Sequence, residues 1–535
     1  MPGRKFYVTT AIDYVNDRPG LHHGYEKTGA DALARFHRQR GREVFFLTGT
    51  DENATRNDRA AKAEGIPTRE LVDRHAGEFR QMCDEWSISY DRFIRTTDPD
   101  HIRGVQEFVR RWIANDDIYL ATYEGLYCTR CEAFYEEADL IDGRCPIHPD
   151  SPDAIQRLKE ENYFFRLSKY EQRLKDLYRD RPDFCVPEAR RNEVLGWLDR
   201  GLKDISVSRR NLTWGIPFPD HPDHVVYVWF DALINYVTGI GFGTDEEQFK
   251  KWWPCDVHVI GKDITRFHCL YWPAMLMAAG VELPRQVFAH GFLAMGEGRL
   301  SRSSGNMIDP LAAAKEWGSD AIRYLVLRDA PFEKIEDSPV SPDQFNARFN
   351  ADLANGIGNL VSRTMRMVEQ YSGGKVPDRG TEGDSEREVH HAAERAIAQH
   401  DAAAAELHFA DALGAVFSLV DAANKHYQRT QPWQIVKDPA RRAEVSSALY
   451  AGLEAVRIAA HLLWPYMPKV ADAIAAQLGL PSPEHAGWSE VARWGVLEPG
   501  RGVHSGPPLF PRLETPGAAP PGAAEAAPAA SRSTA

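Results

Sequence analysis

Short apolar runs rich in β-branched and aromatic residues alternate with helical patterns through the first half of the chain. Residues 5–10, Lys-Phe-Tyr-Val-Thr-Thr, have strand composition, and Asp17-Arg-Pro-Gly20 breaks them. A helical pattern follows over 24–40, and a second strand over 43–48 ends in Gly49-Thr-Asp-Glu52. Strand, turn, helix and strand make a βαβ unit, which places a ligand at the carboxyl ends of its strands. A helix amino terminus in that place also favours phosphate. Residues 205–209 read as a strand, 225–236 pass from strand into helix, and 257–263 form an apolar strand with a polar tip ahead of an amphipathic run over 264–279. Beyond Pro339 the rhythm is helical, in runs at 342–371, 385–402, 404–429, 439–465 and 468–478. The pattern predicts an α/β domain on a doubly wound parallel sheet, followed by an all-α helix bundle. Periodicity alone leaves dimerisation or packing open as the bundle's task.

Composition narrows this only a little. At 535 residues the chain exceeds one core, and 43% hydrophobic with 26% charged residues is ordinary for a soluble globular protein. The start lacks a signal peptide's apolar segment, and no run of about 18 apolar residues suggests a membrane span. The expected setting is the cytoplasm. A net charge of -13 argues against indiscriminate nucleic-acid binding but leaves room for a local basic face. From 516 to 535 the chain is mostly Ala, Pro, Gly and Ser, a composition that predicts disorder.

Seven cysteines do not make a disulfide scaffold here, and their clustering points to a metal. Cys128-x2-Cys131, thirteen residues, then Cys145-x2-His148 offers two short bites with soft-to-borderline donors, which suits structural Zn²⁺. A thiol-redox pair is the alternative for Cys128 and Cys131 alone. With four protein ligands the metal would be structural, because a catalytic zinc keeps a position open.

The stretch 298–310, Gly-Arg-Leu-Ser-Arg-Ser-Ser-Gly-Asn-Met-Ile-Asp-Pro, is flexible and basic, and its guanidinium forks and hydroxyls suit a polyphosphate. Arg299-Leu-Ser-Arg-Ser303 resembles the Lys-Met-Ser-Lys-Ser loop of class I aminoacyl-tRNA synthetases. Pro19-Gly-Leu-His-His-Gly-Tyr25 sits where methionyl-tRNA synthetases carry the HIGH signature, and Thr48-Gly-Thr-Asp-Glu52 is similar to theirs as well. So are Val225 to Tyr236, Val257 to Asp263, the cysteine knuckle, Asn355 to Arg363 and Gln431-Pro-Trp433. The resemblance spans residues 5–514.

It implies a Rossmann-type catalytic domain over 1–114 and 161–338, a zinc-knuckle insertion over 115–160, and an anticodon-binding bundle over 339–515. It implies methionine–tRNA ligase activity, with methionine, ATP with Mg²⁺ and methionine tRNA as partners; a monomer is expected, with a homodimer as the alternative. By position, Ala11, Ile12, Tyr14, Trp229, Leu233, Tyr236 and His268 would line a methionine pocket. A thioether suits such a polarisable aromatic wall. Asp51 would take the substrate ammonium group, and Arg209 would point into the same cleft. Gly20, His22, His23, Lys262, Asp263, Ser301, Arg302 and Ser303 would bind ATP, with His23, Arg299 and Arg302 catalytic. Asn359, Arg363 and Trp433 would read the anticodon, an aromatic and an Arg/Asn pair being suited to unpaired bases.

Both ATP signatures depart from the family. Gly20 replaces the first histidine of the HIGH motif, and His22 replaces the glycine that lies against adenine. Arg299 and Arg302 replace lysines, and a planar fork is not equivalent to a point charge. A divergent paralogue, serving inhibitor resistance or activating an amino acid for a non-tRNA acceptor, is therefore the alternative expectation. A binding protein with a dead ATP site is a third.

Overall fold

The opening runs fold as a βαβ unit because every position in them has a buried partner. β1 (Phe6–Thr10) and β3 (Val44–Asp51) flank the short β2 (Asp13–Tyr14) and the helix α1 (Leu21–Gln39) in sequence. All five residues of β1 are buried, which explains a near-continuous apolar run instead of alternation: helices cover both faces. Its two threonines are satisfied sideways, Thr9 Oγ1 lying 2.8 Å from His258 Nδ1 and Thr10 Oγ1 2.7 Å from Thr48 Oγ1. This computed structural model describes residues 4–130, 133–135, 137–146, 149, 151–210, 212–295, 298–299 and 308–513. The stretch 516–535, expected to be disordered, lies outside the described residues.

Four more strands complete the sheet: β4 (Arg92–Arg95), β5 (Cys185–Val186), β6 (Val257–Gly261) and β7 (Gln286–His290). The order is β2-β3-β1-β6-β7-β5, with β4 also paired to β3. All pairs are parallel, with Val8 opposite Val257 and Val8 also opposite Phe46. The chain leaves β1 for β3 on one side and later fills β6 on the other. A crevice opens where the winding reverses, at the carboxyl ends of β1 and β6, and that is where ligands bind in such sheets. Gly49 lets β4 close on β3 just before this end, since a Cβ there would lie 2.0 Å from the Ile94 carbonyl oxygen. Asp51 is thereby set at the strand tip.

An antiparallel ladder of Ile118–Cys128 and Ile155–Phe165 stands apart from this sheet, in register from Ile118 opposite Phe165 to Cys128 opposite Ile155. Ala133–Tyr135 extends it on one edge and Ile205–Ser206 on the other. The cysteine knuckle is thus carried at the far tip of a long hairpin.

The second half packs onto the first through α2 (Thr68–Glu85), α3 (Ser319–Asp329) and a bundle of α4 (Asn359–Ser372), α5 (Asp384–Ala405), α6 (Phe409–Thr430) and α7 (Arg442–Leu463). One apolar core runs from α1 through α3 into the bundle. Arg323, fully buried on α3, pins the junction. Its guanidinium donates to the carbonyls of Trp86 (3.0 Å), Pro465 (3.0 Å) and Tyr466 (2.8 Å) and pairs with Asp31 of α1 at 2.7 Å.

Candidate active site

Above the β1/β6 crevice lies a cavity of about 530 Å³. Each of these walls comes from a different strand end: Ala11 and Ile12 after β1, Asp51 at the tip of β3, Gly261 at the tip of β6 with Asp263 after it, and Phe292 after β7. The first turns of α1 supply His22, His23 and Glu26. No local stretch could build this cleft; the parallel sheet gathers it.

The expected side-chain pocket is brought together here. Ala11, Ile12, Tyr14, Asp51, Trp229, Leu233, Tyr236 and His268 all line the cavity. Trp229 meets Tyr14 edge-on at 6.3 Å, and its other side is stacked on Phe267 at 3.7 Å with the rings 10° apart. His268 is held as a neutral imidazole. Burial pulls its pKa down to about 4, and Nδ1 donates to the Ile264 carbonyl at 3.0 Å. Its Nε2 is left to accept from the Tyr236 hydroxyl at 2.6 Å, while burial keeps that phenol protonated by raising its pKa. Tyr236 and His268 thus satisfy one another, and this part of the wall offers a ligand aromatic and apolar surface.

The side expected to meet phosphate is assembled on α1. The Gly20 N–H donates to His23 Nδ1 at 2.9 Å, so the proton of a neutral His23 resides on Nε2. His22 tilts over His23 at 3.8 Å, and burial drags its pKa down to about 3, leaving it uncharged at neutral pH. Asp263 lines the same cavity.

Three expected positions are placed elsewhere. Arg209 is held by Glu160 in two hydrogen bonds of 3.0 and 3.3 Å and lies 4.7 Å over the Tyr127 ring, outside the lining of the cleft. Lys262 pairs with Asp337 and sits over Phe292, because its side chain turns away at the strand tip where Asp263 turns in. Gly20 acts through its backbone as the residue ahead of α1 and does not line the cavity. Ser301, Arg302, Ser303 and the side chain of Arg299 lie outside the described residues, as do Cys131 and His148 of the knuckle.

Sequence reasoning missed Asp13, Glu26, Arg56, Ile264 and Phe292 in the cavity wall, and Phe267 behind Trp229. Phe267 had a signal, an aromatic next to His268 in the amphipathic run. Arg56, 4.0 Å over the Tyr14 ring, had none, since an arginine at a helix start reads as a solvated charge.

The other two sites are partly described. Cys128 and Cys145 are both fully buried at the hairpin tip, with Cys145 Sγ 3.6 Å from the Tyr135 hydroxyl oxygen. Two buried sulfurs, Cys128 at the end of its strand and Cys145 directly after the tight Ile141–Arg144 turn, are of the donor type that a tetrahedral thiolate site needs. On the bundle, Asn359 and Arg363 lie one turn apart on α4, and the Arg363 guanidinium covers the Trp433 ring at 4.5 Å. Among the described residues no helix is long and apolar enough to cross a membrane.

Comparison with known proteins finds likeness over residues 6–365 and 376–517. Residues 6–157 and 150–365 match the model of class I tRNA synthetases (M), and residues 376–517 match the anticodon binding domain of methionyl tRNA ligase. The methionine–tRNA ligase of Mycobacterium bovis is 44% identical over 524 residues, covering 96% of this chain and 99% of the relative. That of Caldanaerobacter subterraneus subsp. tengcongensis is 41% identical over 512 residues, covering 96% of this chain and 79% of the relative. The Mycobacterium tuberculosis methionyl-tRNA synthetase in complex with methionyl-adenylate superposes with a TM-score of 0.90 at 43% identity, over 95% of this chain and 100% of that one. Its free-state form gives 0.83 at 40% identity, over 96% and 99%.

Proposed function

The chain belongs to the methionyl-tRNA synthetases of class I, and from that premise we propose that the cleft above β1 and β6 activates methionine with ATP and passes it to methionine tRNA. The observation that carries this reading is the convergence, in one cavity, of an aromatic pocket, the Asp51 carboxylate and the His23 imidazole. In the adenylation step the thioether packs against Trp229, Leu233 and Tyr236, while Asp51 takes the ammonium group. The methionine carboxylate oxygen attacks the α-phosphorus of ATP, and the bond to the bridging oxygen breaks to release pyrophosphate. His23 donates from Nε2 to phosphate oxygens whose charge grows as that bond breaks, and Asp263 takes a ribose hydroxyl. Arg299 and Arg302 neutralise the departing pyrophosphate. Little acid–base chemistry is needed, so positioning and charge stabilisation carry the rate. A hydroxyl of the tRNA 3′-terminal ribose then attacks the acyl carbon and AMP leaves. Mg²⁺ accompanying ATP supplies further neutralisation of phosphate charge.

Cys128, Cys131, Cys145 and His148 would hold a structural Zn²⁺, whose part is to close the hairpin tip. Arg363 stacked on Trp433, with Asn359 one turn away, supplies a platform and base-edge donors for anticodon nucleotides. A monomer working in the cytoplasm completes the reading.

ATP–pyrophosphate exchange tests it. Exchange with methionine and not with other amino acids, in the absence of tRNA, is the expected result, together with charging of methionine tRNA. Exchange with a different amino acid, or none at all, would refute the ligase. Replacing Trp433 by alanine separates the two halves of the reaction. One lost stacked base is worth about 1–3 kcal/mol, so the KM for tRNA in charging should rise roughly 5- to 150-fold. The loss should fall on charging and not on exchange, as steady-state kinetics of both reactions will tell.

A further inference from the structure

Under the histidines of α1 lies a buried ion pair with no part in the chemistry so far. Lys27 is fully buried, and its ammonium group is in contact with Oδ2 of Asp13 on β2. Burial works against the charge on Lys27, but Asp13 and Glu26 outweigh it and raise its pKa above the ordinary lysine value. Buried pairs of this kind are weak contributors to stability, because desolvation consumes most of the Coulombic gain. A packing role alone would be served as well by two apolar residues.

The geometry around the pair points elsewhere. Lys27 and His23 are four residues apart on α1 and therefore share a face. Asp13 faces both: Oδ2 meets Lys27, and Oδ1 lies 3.9 Å from His23 Nε2. That is beyond a hydrogen bond and within the reach of an ion pair. Nδ1 of the same ring accepts from the Gly20 backbone at 2.9 Å. The imidazole is thus gripped from both sides, a donor on Nδ1 and a carboxylate facing Nε2, and both select the same tautomer. Lys27 cancels the charge that Asp13 would otherwise present to an incoming polyphosphate. The device matters because Gly20 offers no side chain, which leaves the donor at this turn to the imidazole whose Nε2–H these contacts fix.

We propose that Asp13, neutralised by Lys27, is a positioning residue for adenylation that holds the His23 Nε2–H ready for the phosphates of ATP. The proposal rests on the ligase reading for its chemical step but not for its geometry.

A neutral replacement of the pair that keeps both side chains near their original size, Asp13→Asn with Lys27→Met, avoids stranding either charge and should leave the thermal midpoint near that of the unsubstituted protein. In that double variant the kcat of methionine-dependent exchange should fall about 10- to 100-fold, at most the share a positioned proton donor supplies. The KM for methionine should stay put. In a His23→Ala background the same two substitutions should cost no more than about twofold, the additivity limit for independent sites. Imidazole ¹H–¹⁵N spectra, with His23 identified by its loss in His23→Ala, should show the Nε2-protonated tautomer in both proteins, because the Gly20 donor remains, with the Nε2–H resonance displaced in the double variant that lacks the facing carboxylate. Equal losses in both backgrounds, no loss in either, or an undisplaced Nε2–H resonance would overturn the proposal. If the unsubstituted protein exchanges nothing, the ligase reading falls, while the spectra still decide what Asp13 does to His23.

Discussion

Asp51→Asn should cut kcat/KM for methionine in exchange by about 10²- to 10³-fold, with most of the change in KM. The residue is 3% exposed at the tip of β3, on the floor of the aromatic cavity. Removing one partner of a desolvated charge pair costs about 2–5 kcal/mol, much of it the penalty of leaving the other charge unpaired. Methionine cannot shed its ammonium charge inexpensively at neutral pH, so that penalty falls on substrate binding. Asparagine keeps the shape, and Asp51 ends a strand without capping the helix that follows, so the circular dichroism spectrum and thermal midpoint should be unchanged. Exchange kinetics against methionine concentration decide the matter: a variant with unaltered KM would remove Asp51 from the ammonium site.

The second large effect concerns the junction between the halves. Arg323→Met should destabilise the protein by about 3–5 kcal/mol, as expected when one partner of a buried, multiply bonded pair is lost. Three carbonyls, of Trp86, Pro465 and Tyr466, lose their donor at once, and each orphaned buried acceptor is costly. Asp31 retains Arg35 at 2.8 Å and the Ser89 backbone N–H at 2.7 Å, which bounds the loss from above. Arg323→Lys should fall between, because an ammonium group cannot reach carbonyls in several directions as the fork does. Urea unfolding followed by tryptophan fluorescence reads this as a lowered midpoint, with the bundle and the sheet parting in separate transitions. An unchanged single transition would show that the apolar core alone couples the halves.

The same pair gives a pH dependence. Burial pushes the Asp31 carboxyl up, but Arg35, Arg323 and the Ser89 donors outweigh it and hold its pKa well below the ordinary carboxylate range. A depressed folded-state value means that the unfolded chain binds the proton more readily. The stability Asp31 adds is therefore complete above the ordinary aspartate value of about 4 and drains away as the pH falls below it.

Much of the chain's organisation was legible because it depends on local periodicity. The apolar run 5–10, the tip Gly49-Thr-Asp-Glu52 and the strand 257–263 each became a parallel strand whose end points at the cleft, as βαβ connectivity requires. The helical runs beyond Pro339 became the bundle, although the run 404–429 begins in the structure at Phe409, after Leu407 takes a φ of 60° between α5 and α6. Matching motifs drew Trp229, Tyr236 and His268 into one pocket before their contacts were known, since a motif records which residues a fold has brought together elsewhere.

What the sequence by itself determined was the order of elements, the family and the residue types available to the chemistry. Those follow from spacing along the chain. Only the tertiary structure decided where the charges go. Arg209 and Lys262 looked like cleft cations, yet Glu160 and Asp337 hold them. Asp13, Lys27 and Arg323 carry no motif or periodicity that singles them out, yet all three are buried in pairs. The physical reason is that a buried charge is tolerated only with a partner, and the partner stands 14 residues away for Lys27 and 75 for Lys262. Periodicity carries no information about such pairs; they exist only once the sheet has brought separate strand ends to one place.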